Sequence, residues 1–137
     1  MHLPSITAVY LAILALLYVF LAIRVARLRQ RDRAAFGDNG SVELRTAIRV
    51  HANFIEYVPI ITLMVAFLEM SGLPAMRVHL LMGALLLSRL LHPLGMGAKS
   101  NSLRFRIGRA GGITITFFVL ISCAVAILWR VWSGMAS

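Results

Sequence analysis

Four long apolar stretches separated by short polar segments take up most of this 137-residue chain. About 20 consecutive apolar residues let an α-helix cross a bilayer. In lipid every backbone polar group must be satisfied within the structure, so stretches of this length fold as spanning helices. The chain is 60% hydrophobic and 14% charged, against about 45–50% and about 25% for soluble domains. Its mean hydropathy of +0.85 agrees. The predicted architecture is all-α: one polytopic membrane domain over residues 1–137, a four-transmembrane-helix bundle. Such a bundle encloses little volume, so a ligand site would borrow walls from another subunit.

The first apolar run is Leu3 to Ile23, predicted as a helix over 3–24. It has no basic segment before it and is too long for a cleaved signal peptide. Arg24 and Arg27 follow where small residues would be expected, so it reads as a retained span. Arg24 to Val42 reads as a polar loop, with Gly37-Asp38-Asn39-Gly40 as a turn whose Gly and Asn supply positive φ. Ser41 is placed to cap a second helix over 42–70, with a kink expected at Pro59. Ser71 to Pro74 is a tight turn into a third helix over 74–94, expected to open near His92 and Pro93. A second basic loop, Gly97 to Arg109, leads to a fourth helix over 107–132, ending in an interfacial Trp129 and Trp132.

Of the fourteen Lys and Arg residues, only Arg77 and Arg130 lie outside the segments 24–49 and 89–109. Cytoplasmic loops accumulate Lys and Arg. Segments 24–49 and 95–109 are therefore expected on the cytoplasmic face, with both termini on the opposite face. The net charge of +9 is explained in this way, and no aromatic-basic pattern of the nucleic-acid kind accompanies it. Cys123 is the single cysteine and falls within an apolar run, where it reads as a small packing residue. No CxxC or HxxxH spacing suggests a metal.

The second helix carries Arg45, Arg49, Asn53 and Glu56 at steps of four, four and three, which keeps them on one stripe flanked by Tyr57. An ionisable group at membrane depth points to a functional site. The competing reading is polar glue, with Arg49 and Glu56 neutralising each other and bonding Asn53. Cations outnumber acids at this depth, which leaves an anion missing: lipid phosphate or a soluble ligand. His51 lies nearly opposite Arg49. In the third helix Arg89 and His92 share a face, and Arg89 has a structural alternative in reaching toward lipid headgroups.

Arg49-Val-His51-Ala-Asn53-Phe-Ile-Glu56-Tyr57-Val-Pro59 resembles the second-helix signature of the MAPEG family, membrane-associated proteins of eicosanoid and glutathione metabolism. The likeness extends over essentially the whole chain. The turn at 37–40 and Arg89-Leu-Leu-His92 look most like the uncharacterised bacterial branch, which implies a bacterial inner membrane. The resemblance implies a homotrimer binding glutathione between subunits near the cytoplasmic surface. It implies Arg49, Asn53, Glu56, Tyr57, His51 and His92 as glutathione-binding positions, and Arg104 or Arg106 as the arginine that activates the thiol; Arg89, on the face of His92, is added to the binding candidates. The chain departs from the pattern at Met96, where several family enzymes carry Tyr, and that departure bears on catalysis rather than on fold.

Glutathione has two carboxylates, an ammonium and a thiol. Arginine suits bidentate carboxylate binding. A guanidinium within about 4–6 Å lowers a thiol pKa by about 1–3 units from about 8.5, raising the nucleophilic thiolate fraction. The function implied is a glutathione-dependent membrane transferase, with peroxidase activity as an extension, acting on small hydrophobic electrophiles that arrive from the bilayer. The alternative is a non-enzymatic scaffold holding glutathione or anionic lipid. A transporter subunit is the weakest reading, because no pair of broken helices is evident.

Overall fold

The computed structural model describes residues 3–96 and 106–135. It contains α1 (Ser5–Arg31), α2 (Val42–Met70), α3 (Ala75–Met96), a π-helical segment (Arg106–Gly111) and α4 (Gly112–Met135). All four α-helices are long and apolar enough to cross a membrane. Residues 97–105 of the second basic loop, with Lys99 and Arg104, lie outside the described residues, and its remainder is helical.

Each helix buries only one stripe. In α1 the buried residues are Thr7, Leu14, Leu21 and Leu28. That seven-residue repeat is two helical turns, so a single narrow seam faces the bundle and the apolar flanks face outward. α2 and α3 hold the centre. Each touches the other three helices, while α1 and α4 stand on opposite sides and do not meet. Leu14, Phe54, Ile61, Val65, Met82, Leu85, Val119 and Cys123 form the core between them.

Three boundaries differ from the expectation. α1 runs to Arg31 rather than ending near Arg24. Leu28 continues its seam and packs with Ala34, Leu44 and Ala47 as a second small core. Arg29 and Arg31 in its last turn complement the negative end of the helix dipole. α3 does not open at His92 but continues through Pro93 to Met96. Its packing against the π-helical segment and α4 holds the helix past the proline. The fourth span begins as a π-helix and turns α-helical only at Gly112, then runs to Met135.

The α1–α2 connection is tied by charge. Arg29 donates to the carbonyls of Ala34, Ala35 and Gly37 at 3.3, 3.4 and 3.1 Å. Arg31 bridges Asp32 at 2.7 Å and Glu43, in the first turn of α2, at 2.9 Å. Arg45 pairs with Asp38 and holds its carboxyl below the usual carboxylate range, helped by the Gly40 N–H. Gly37, Asn39 and Gly40 take positive φ as the turn requires, and so does Arg33. Ser41 caps α2, its hydroxyl accepting from the Leu44 N–H at 3.3 Å. α2 continues through Pro59 without a break in its assigned helix.

At the far end Glu69 caps α1 across the bundle. Its carboxylate accepts from the N–H groups of Ile6 and Thr7, both at 2.9 Å, and from the Thr7 hydroxyl at 2.6 Å. An anion at a helix N-terminus satisfies orphan donors and complements the dipole. Glu69→Ala should therefore lower stability by about 1–3 kcal/mol, the range for losing charge-assisted bonds. Thermal unfolding in detergent would read this, and an unchanged midpoint would deny the cap its role.

Candidate functional site

The stripe on α2 divides on folding. Asn53 turns into the bundle and is buried, whereas Arg49 and Glu56 remain exposed. At 1.5 Å per residue, seven residues place them about 10 Å apart along the axis. They form no ion pair, and neither bonds any side chain among the described residues. Mutual neutralisation within one chain is thus not what they do. Arg45 leaves the stripe to pair with Asp38. Farther along the same face come the exposed Ile60, Leu63 and Phe67. α2 therefore presents a face that is charged toward the Arg-rich end and apolar toward the other.

Asn53 has a different partner from the one its spacing suggested. Arg89 is only 3% exposed and does not reach toward the membrane surface. Its Nη1 donates to Asn53 Oδ1 at 2.7 Å and to the Asn53 carbonyl at 3.1 Å. Its Nε donates to Ser88 Oγ at 3.1 Å, and its Nη2 to Thr116 Oγ1 on α4. Both hydroxyls in turn donate to carbonyls of their own helices, Ser88 to Leu85 and Thr116 to Gly112, each at 2.7 Å. The guanidinium is thus held entirely by neutral oxygens, and no described carboxylate pairs with it. It joins α2, α3 and α4 and fixes which way the Asn53 amide faces. Asn53 Nδ2 has no hydrogen-bond partner among the described residues.

α4 comes close at this point because residue 112 is glycine. A Cβ there would lie 3.2 Å from the Ser88 carbonyl and 3.4 Å from His92 Cβ. His92 is buried in this α3–α4 contact. Tyr57 packs edge-on against Phe117 of α4, with ring centroids 5.7 Å apart. His51 turns to α1, stacked on Tyr18 at 5.1 Å, and its Nε2 is buried without a hydrogen-bond partner. The structure thus brings Asn53 and Arg89 together, with His92 and Tyr57 at neighbouring contacts to α4. It sets Arg49 and Glu56 on the open face and His51 on another. Arg106 opens the π-helical segment, and Arg104 lies outside the described residues. Ser88, Thr116 and Gly112 were not foreseen. The sequence signal for Thr116 was weak, one of two threonines with Thr114 in an apolar run; for Ser88 it was adjacency to a membrane-depth arginine. Among the described residues no group of His, Cys, Asp and Glu is placed to hold a metal ion.

A bundle of four membrane-spanning helices, with a buried polar centre and an open charged face on one helix, defines the class of protein. The chain belongs to the MAPEG family, whose model matches residues 7–129. Among curated proteins it is similar to inner membrane protein YecN of Escherichia coli strain K12, with 37% identity over 124 residues, 90% of this chain and 91% of that one. The same protein of Escherichia coli O6:H1 matches equally. No solved structure matches the chain.

Proposed function

We propose that this protein is a glutathione-dependent membrane transferase of a bacterial inner membrane, working as a homotrimer. The observation that carries the reading is the exposed face of α2, where Arg49 and Glu56 offer opposite charges with no partner among the described residues. Glu56 sits at the midpoint of the 29-residue α2. A charge at such depth facing lipid costs about 2.5–3.5 kcal/mol or more. A neighbouring subunit covering this face, with a ligand between, removes that cost. Glutathione fits the charges: a carboxylate on Arg49, the ammonium on Glu56, a peptide carbonyl on the free Nδ2 of Asn53. Tyr57 is the family position left beside this face; His51, turned to α1, and His92, buried against α4, do not line it from the same subunit, and Arg104 or Arg106 is assigned to the thiol. Family membership and the inner-membrane relative support this reading.

Calorimetric titration of the detergent-purified protein with glutathione and its S-hexyl analogue tests it. Saturable binding of both is expected, and no heat from either would end the proposal. Bound glutathione should show thiolate absorbance below its free pKa of about 8.5. Arg104→Ala or Arg106→Ala should remove that absorbance while changing affinity only a few-fold, because the partner charge is complete only after the proton leaves. If neither changes the titration, the chain binds glutathione without activating it.

The orientation is tested separately. A cysteine placed at Asn39 should react with an impermeant reagent only from the cytoplasmic side, and one at Gly72 only from the other. Labelling of position 39 from outside would reverse the topology and move the site away from cytosolic glutathione.

A further inference from the structure

The end of the bundle remote from the Arg-rich segments has charges of its own. A groove of about 660 Å³ runs between α3 and α4 there, lined by Leu73, Arg77, Ile121, Val125, Trp129 and Arg130, among others. Arg77 and Arg130 are the two cations outside the Arg-rich segments, and both converge on this one groove. Arg130 commits one nitrogen, Nη1, to Ser71, reaching its hydroxyl at 2.9 Å and also its carbonyl. Its Nε and Nη2 remain available, and the Arg77 guanidinium bonds nothing among the described residues. Ile121, Val125 and Trp129 are exposed along the groove wall.

No side-chain carboxylate among the described residues meets these two arginines. Five residues are acidic. Asp32 and Glu43 pair with Arg31, and Asp38 with Arg45, at the opposite end. Glu56 sits halfway along α2. Glu69 alone shares the end of Arg77 and Arg130, and its carboxylate is engaged by the first turn of α1. In a second copy lying in the same orientation the other four acids would be engaged in the same way and Glu56 would stand at mid-helix depth, so no side-chain carboxylate of such a neighbour stands at the level of these arginines. The anion comes from elsewhere. Two guanidinium groups at a helix-end boundary, a tryptophan beside them and an apolar wall running toward the membrane centre suit one ligand. That ligand carries a phosphate at headgroup level and a hydrocarbon chain below it.

We propose that this groove binds an anionic phospholipid, its phosphate on Arg77 and Arg130 and one acyl chain along Ile121 and Val125. The site is independent of the glutathione reading. Trp129 reports on it directly. In a Trp132→Phe background, reconstituted into vesicles, Trp129 should be quenched more by dibrominated phosphatidylglycerol than by dibrominated phosphatidylethanolamine at equal mole fraction. The preference should fall about fivefold in Arg77→Gln, the factor that about 1 kcal/mol per arginine represents. Arg77→Lys should keep it. Arg77→Gln breaks no hydrogen bond among the described residues, so its effect does not come through the fold; Arg130→Gln, which releases Ser71, is read against Arg130→Lys. Equal quenching by the two lipids overturns the proposal, as does a preference that survives both glutamine variants. Absence of quenching by either lipid would mean that protein covers the groove, and also overturns it. Soluble glycerol phosphate should leave the preference in place; if it abolishes the preference, the ligand is a soluble phosphate and not a lipid.

Discussion

Arg49→Ala is expected to weaken glutathione binding by about 1.5–3 kcal/mol, the range for hydrogen bonds to charged groups. That is roughly tenfold to more than a hundredfold in Kd, at 1.4 kcal/mol per decade. The magnitude follows from where the side chain stands. Arg49 is exposed and its side chain has no partner among the described residues, so its removal breaks no bond among them and should leave the fold untouched. The whole loss should appear in binding, with little change in thermal stability without ligand. Glu56→Gln should act in the same way on the ammonium. Equal glutathione affinity in the variants and the parent, all folded, would leave the scaffold reading, in which the same arginine retains anionic lipid instead.

Arg89→Met is expected to separate stability from affinity. The guanidinium makes four hydrogen bonds to Asn53, Ser88 and Thr116, and all the acceptors are neutral. Losing them is costly, but burying a cation without a carboxylate is costly too, and an apolar side chain of similar length relieves that. Ser88 and Thr116 keep their bonds to helix carbonyls. Only Asn53 Oδ1 is stranded, at about 1–3 kcal/mol. The net change in stability should therefore stay within about 2 kcal/mol. Affinity should fall about tenfold, because an Asn53 amide freed from Arg89 is no longer held in one orientation. A cycle with Asn53→Ala isolates this: residues acting through one contact couple by about 0.5–3 kcal/mol. Additive losses would mean that Arg89 reaches glutathione by itself rather than positioning Asn53.

Much of the fold was legible in the residue order because the bilayer permits few alternatives. Helix α2 is found at the residues where Ser41 and the hydrophobic run put it, and the turn at 37–40 has the positive φ angles its glycines and Asn39 imply. Errors arose where packing overrode local signals. Arg24 read as the end of α1, yet the buried Leu28 carries the helix another two turns. Pro93 read as the opening of α3, yet contact with the π-helical segment and α4 holds the helix to Met96. Nothing in the sequence singled out Glu69, because its partners lie more than sixty residues away.

For the candidate site, the sequence by itself determined which chemical groups stand at membrane depth: the spacing of Arg49, Asn53 and Glu56 on a helix is a matter of 100° per residue. It also determined the segregation of charge between the two ends. Only the tertiary structure decided which of those groups face inward. A stripe about 60° wide straddles the boundary between core and surface, so Asn53 falls on one side of it and Arg49 and Glu56 on the other. Arg89 could have reached the membrane surface by its own length. It is buried instead because Ser88 beside it, Asn53 on α2 and Thr116 on α4 converge as acceptors around one guanidinium, and because glycine at 112 lets α4 come close enough to supply one of them.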